Sequence, residues 1–193
     1  MRVILASKSP RRKEILENLG LTFEIMVADA DESSDVTEPC ELVRALAARK
    51  GRAVLEKLDE KDDLLLIACD TLVYAEGEFL GKPRDRADAE RMMRMLSGRS
   101  HQVVSGLYLY CQGREVTAAE VTGVTFDEMS DEEIEDYINS PEPYDKAGGY
   151  AVQGRASVYV RGLEGDYFNV VGLPVNLLYR TLKQEFQIDV RKI

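Results

Sequence analysis

The sequence predicts a mixed α/β fold, and three observations carry that prediction. Apolar, β-branched runs alternate with stretches of helical periodicity along the whole 193 residues. The first run, Val3 to Ala6, passes through a short polar loop into a helix that begins at a proline, which is the context of a crossover connection. Farther on, pairs of runs are split by Glu76-Gly77 and by Gln112-Gly113, which is the context of a hairpin.

The elements follow in order. After the opening strand, Ser9 is placed to cap a helix starting at Pro10, whose missing N–H would have had no partner in the first turn. A strand near 23–27, a helix over 39–58 and a buried strand over 64–69 come next. Residues 71–74 and 78–80 read as a hairpin. A third helix begins near Asp85 and stops at Ser97-Gly98. Two long strands cover 102–110 and 115–126. Ser130-Asp131-Glu132-Glu133 is a capping box opening a helix to Asn139. Residues 140–150 form a loop with two prolines and a Gly-Gly pair, long enough to suspect function. A strand at 159–160 and a helix over 174–185 close the chain. With no repeat or linker, residues 1–193 read as one domain of two intimate lobes.

Bulk properties exclude several classes. A formal net charge of −10 argues against duplex nucleic acid as the main partner, though not against a nucleotide in a local basic pocket. Cys40, Cys69 and Cys111 lack metal-type spacing, which favours a reduced, cytoplasmic setting. The single His101 excludes multi-histidine metal clusters. The opening apolar run is too short for a signal peptide or a membrane span, so no membrane partner is expected.

The first helix mouth is the most informative segment. A strand feeding a helix N-terminus presents backbone N–H groups and the positive dipole end, a ready anion site. Arg11 and Arg12 in that first turn are disfavoured unless the loop holds more negative charge than one helix can neutralise, as a phosphate chain would. Arg12 shares a face with Ile15, Leu16 and Leu19 and is expected to point inward, with Arg11 at the rim. The competing reading is a basic turn that salt-bridges Glu14 or Glu17. In the second helix Leu42, Val43, Leu46 and Val54 define an apolar stripe. Lys50 falls near its centre at about 100° per residue, with Arg44 and Arg52 opposite. An inward lysine needs an anionic partner or wet space; a snorkelling stem is the alternative.

Asp70 is the leading catalytic candidate because it ends an apolar strand, where α/β sheets gather ligands; an Asx turn into the hairpin is the plainer reading. Asp29, Asp31 and Glu32 follow the 23–27 strand at a comparable position. Two carboxylates from different strand ends, facing inward cations, suit a hard divalent cation and a polyphosphate. Gly81-Lys82-Pro83 adds a weakly specific lysine. In the run from Asp145 to Gly154, paired glycines permit close backbone approach to a ligand, and the Gln153 amide can match a base edge.

Taken together, the run from Ala6 to Arg12, the acidic 29–32 stretch, 46–50, Cys69-Asp70-Thr71-Leu72-Val73, Gly81-Lys82-Pro83, Leu96-Ser97-Gly98, the run from Asp145 to Gly154, and 165–174 resemble the Maf family of nucleoside triphosphate pyrophosphatases, in order and over essentially the full length. The resemblance implies an elongated, mixed-sheet α/β fold like that of inosine triphosphate pyrophosphatases, with a central cleft between two lobes. It also implies hydrolysis of a nucleoside triphosphate to the monophosphate and pyrophosphate with Mg²⁺ or Mn²⁺. Arg11 and Gln153 match the branch acting on dTTP and UTP; the branch acting on 7-methyl-GTP has an aromatic residue and a Glu there. By that resemblance Asp70 is the catalytic carboxylate, and Arg11, Thr71 and Gln153 set base selectivity. Ser7, Arg12, Lys50 and Lys82 meet phosphate, Asp70 and Glu32 hold the metal, and a homodimer is among the expected assemblies. Two departures are Leu72 for the commoner Val, and Gly149-Tyr150-Ala151 for Ala-Tyr-Gly. A haloacid-dehalogenase-type phosphatase is rejected, because the acid it needs two residues after Asp70 is Leu72. The non-enzymatic alternative is a nucleotide-binding regulator of cell division that does not turn substrate over.

Overall fold

The structure, a computed structural model, describes residues 1–193. It is mixed α/β, with one seven-stranded sheet in the order β2-β1-β3-β5-β6-β7 and β4 paired to β3. The strands are β1 Arg2–Leu5, β2 Glu24–Ile25, β3 Leu64–Ala75, β4 Glu78–Leu80, β5 Ser100–Cys111, β6 Arg114–Phe126 and β7 Val160–Glu164. The helices are α1 Pro10–Asn18, α2 Pro39–Leu55, α3 Arg86–Leu96, α4 Asp131–Ile138, α5 Tyr167–Val171 and α6 Val175–Phe186. β1 runs parallel to both β2 and β3, whereas β3/β4 and β6/β7 are antiparallel, so the sheet is mixed as predicted. Glu76-Gly77 and Gln112-Gly113 turn their hairpins with positive φ at both central residues, the type I′ geometry that matches strand twist. No helix is long and apolar enough to cross a membrane.

The chain divides into two compact units. The first comprises Met1–Asp70, Ser105–Glu120 and Gly172–Ile193; the second, Thr71–Val104 and Val121–Val171. In the first, Ile4, Leu64, Leu66 and Ala68 pack with Ala47, Val54 and Tyr108. There α2 lies unusually close to β5, because two glycines face each other's elements. A methyl on Gly51 would meet the Tyr108 ring at 2.2 Å, and one on Gly106 would meet the Val43 carbonyl oxygen at 2.0 Å. In the second unit, α3 and α4 bury Met92, Met93, Leu96, Ile134 and Ile138 with Val124 and Phe126.

The structure corrects several boundaries. The predicted strand 64–69 and the hairpin arm 71–74 are one continuous strand, so Asp70 lies mid-strand in β3 rather than at a strand end. Thr71, Val73 and Tyr74 are good strand residues, and the charge that should have broken the run is neutralised locally, as described below. The 23–27 strand shrinks to two residues, α2 stops at Leu55, and α5 was not foreseen. On α1, Ile15 and Leu16 are buried as expected, but Leu19 is 38% exposed.

Candidate functional site

The mouth of α1 is built as its residue types demand. The Ser9 hydroxyl accepts from the Arg12 backbone N–H at 3.5 Å and caps the helix. Ser7, buried where β1 ends, accepts from the Ser9 N–H at 3.2 Å. Arg12 turns inward: Nε donates to the Gly172 carbonyl at 2.8 Å and Nη1 to Ser7 Oγ at 3.0 Å. Next to it, Lys13 pairs with Glu17 at 3.6 Å. Arg11 is half-buried.

Lys50, Asp70 and Glu32 form one charged cluster in the same unit. The Lys50 ammonium donates to Asp70 Oδ1 and lies 2.8 Å from Glu32 Oε1. Asp70 is buried in β3, whereas the Glu32 side chain is 65% exposed. Burial works to lower the Lys50 pKa, but Asp70 and then Glu32 outweigh it, and the net direction is upward. The inward lysine therefore has its anionic partners, and Arg52 on the opposite face pairs with Glu115 at 2.7 Å. The loop bearing Glu32 is pinned by Arg49, whose guanidinium donates to the Asp31 and Ser33 carbonyls. Asp31 turns onto Ser33, accepting from its N–H at 2.9 Å and its hydroxyl at 2.7 Å, and thus serves the loop. Sequence reasoning missed both Arg49 and the Gly172 carbonyl; the helical period of α2 put Arg49 beside Lys50, the only available hint.

The remaining candidates belong to the second unit. Thr71, half-buried, follows Asp70 in β3; Lys82 and Gln153 are exposed on loops. The Gly148 N–H donates to the Gly81 carbonyl at 3.0 Å, tying those two loops together. Gly148 needs its glycine twice over: φ is +68°, and a methyl would meet Val73 at 2.6 Å. The close approach that the sequence suggested toward a ligand is made here to the protein itself, Gly148 packing on Val73 and Gly149 on Pro83. Lys82's loop is braced by Asp88 in α3, which accepts from the Arg84 N–H at 3.1 Å.

Chemically, the two carboxylates that converge on the Lys50 ammonium are hard oxygen donors, and a divalent cation would take them in place of that ammonium. No group of three or more His, Cys, Asp or Glu is assembled. That donor set fits a Mg²⁺-type ion, which is commonly held by one or two carboxylates plus substrate phosphates.

Residues 2–185 match the family model described as Maf-like protein. Proteins named dTTP/UTP pyrophosphatase from Bacillus anthracis, Bacillus thuringiensis subsp. konkukian and Bacillus cereus are each 45% identical over 190 residues, covering 98% of this chain and 97% of theirs. Among solved structures, the Staphylococcus aureus Ham1 protein superposes with a TM-score of 0.55 at 14% identity, covering 96% of this chain and all of that one, a likeness of fold. With an arginine-lined helix mouth, a buried Asp70 and a family match spanning nearly every residue, the chain belongs to the Maf family.

Proposed function

We propose that this protein hydrolyses dTTP and UTP to the nucleoside monophosphate and pyrophosphate. The observation that carries the reading is the buried Asp70 held by Lys50 with Glu32 beside it, in a chain 45% identical to proteins of that name. Water attacks the α-phosphorus, the bond from that phosphorus to the oxygen bridging to the β-phosphorus breaks, and pyrophosphate leaves. Asp70 orients the water and accepts its proton. Arg12, Lys50 and Lys82 neutralise charge moving onto the leaving group, and Ser7 hydrogen-bonds phosphate oxygen; positioning and electrostatics supply most of the acceleration. Asp70 and Glu32 would hold a divalent cation, Mg²⁺ or Mn²⁺, which when bound polarises phosphoryl oxygens.

Arg11, Thr71 and Gln153 choose the base. Uracil and thymine present a carbonyl acceptor beside an N–H donor, which a fixed amide can pair. The chain works as a single domain in the cytoplasm, alone or as a homodimer, without nucleic acid or membrane. A panel of nucleoside triphosphates with Mg²⁺ or Mn²⁺, assayed for pyrophosphate, tests the proposal. Pyrophosphate should appear fastest from dTTP and UTP. Binding without release, or release of orthophosphate alone, overturns it in favour of a regulator or a different hydrolase.

A further inference from the structure

The reaction makes no use of Glu142, yet its carboxylate has more backbone and side-chain donors than its loop alone requires. Oε1 accepts from the Tyr137 hydroxyl at 2.9 Å and the Ala156 N–H at 3.2 Å, and Oε2 accepts from the Arg155 N–H at 2.8 Å. Tyr137 comes from α4 and is buried, and burial, with Glu142 beside it, pushes its pKa well up, so it remains a donor. Lys146 Nζ donates to Glu142's own carbonyl at 2.8 Å and fixes the backbone from which the carboxylate reaches.

The two amides it receives open the 3-10 turn Arg155–Tyr159, whose own N-cap residue, Gly154, offers no side chain. Glu142 therefore caps from a distance a turn that would otherwise start with open donors. Immediately before it, Gly154 N–H donates to the Ala151 carbonyl at 3.0 Å and closes a turn whose central residues are Val152 and Gln153. Gly154 has φ −109°, a value open to any residue, so its glycine is not required by backbone conformation. A methyl there would meet Glu142 Oε2 at 2.2 Å, so the carboxylate would have to shift from the amides it accepts from.

We propose that Glu142 is a positioning residue for Gln153. With Tyr137, it fixes where the turn presents the Gln153 amide, and so sets pyrimidine selectivity without touching the nucleotide. This rests on Gln153 reading the base. A carboxylate suits the task because both oxygens only accept; a glutamine would turn its NH₂ toward an N–H donor.

The test compares Glu142→Gln, Tyr137→Phe, Gly154→Ala and the Glu142→Gln/Gly154→Ala double variant with Gln153→Glu. Each is measured for kcat and KM on dTTP, UTP and CTP, and for amide exchange at Arg155 and Ala156 without nucleotide. Glu142→Gln should raise KM for dTTP and UTP about tenfold with kcat within about threefold, lower the preference over CTP to match, and speed exchange of both amides. Tyr137→Phe, keeping both amide bonds, should show the same pattern at about two- to threefold. Gly154→Ala should resemble Glu142→Gln, and the double variant should be no worse than the worse single, because both break one contact. Faster exchange with unchanged KM and selectivity overturns the proposal, as does a loss confined to kcat. If Gln153→Glu itself leaves selectivity unchanged, the reading of Gln153 fails, whatever the exchange rates show at Glu142.

Discussion

Lys50, Asp70 and Arg12 project from α2, β3 and the first turn of α1; Lys50 and Asp70 hold each other by charge, and Arg12 is held by the Gly172 carbonyl and the Ser7 hydroxyl. Lys82 and Gln153 project from loops, and their positions are held by acids that touch only the protein: Asp88 for one loop, Glu142 for the other. Both units use carboxylates, but to different ends. In the first unit, Asp70 and Glu32 share one cation, the Lys50 ammonium. In the second, Glu142 is spent on backbone amides and a buried tyrosine. In the proposed roles, Arg11 and Thr71 share regular elements with Arg12 and Asp70. Lys82 and Gln153 instead stand on loops, and loop residues need bracing to act reproducibly.

The difference can be broken first at Asp70. Asp70→Asn should lower kcat on dTTP and UTP by at least ~10²-fold, as expected for a positioned acid–base group, and pyrophosphate release measures it. Near-wild-type turnover would remove the chemical half of the contrast.

The second unit should instead answer to pH through its core. His101 is buried against Phe126 and Tyr150, with Nε2 at 2.7 Å from the Tyr150 hydroxyl. Burial lowers its pKa from 6.5 to about 4. The unfolded chain thus takes up this proton first. The associated stability is complete above pH 6.5 and drains as pH falls toward 4, by roughly 2–3 kcal/mol. Urea unfolding across that range should show wild type losing more than His101→Gln; equal losses would place the acid sensitivity elsewhere.

Gln153→Glu should bring a smaller change than Asp70→Asn, weakening dTTP and UTP relative to other nucleotides by about tenfold, the scale of one misplaced hydrogen bond. Unchanged relative rates across nucleotides would show that another residue reads the base.

Much of this was legible in the chain. The proline and serine at the start of α1, the capping box before α4 and the turn dipeptides each act within a few residues, so local sequence carries them. Helical period alone put Lys50 on the buried stripe and Arg12 inward, and both stand there. What period could not show is that Asp70 sits within a strand. That depends on Lys50, 20 positions earlier, neutralising it. Glu142 was equally opaque, because its donors come from α4 and from a turn 13 residues downstream. The glycines at 148 and 149 advertised closeness, but not to what.

The near contact of α2 with β5 has a consequence for the charged cluster. Lys50 precedes Gly51, so the helix turn that launches its side chain rests on the Tyr108 ring, and Gly106 lets the earlier turn of α2 at Val43 settle against the sheet. The amine's reach to Asp70 thus depends on backbone height above the strands. Two methyl groups that are not there act as the shims of the site, and adding either would lift the lysine from the carboxylate it is set against.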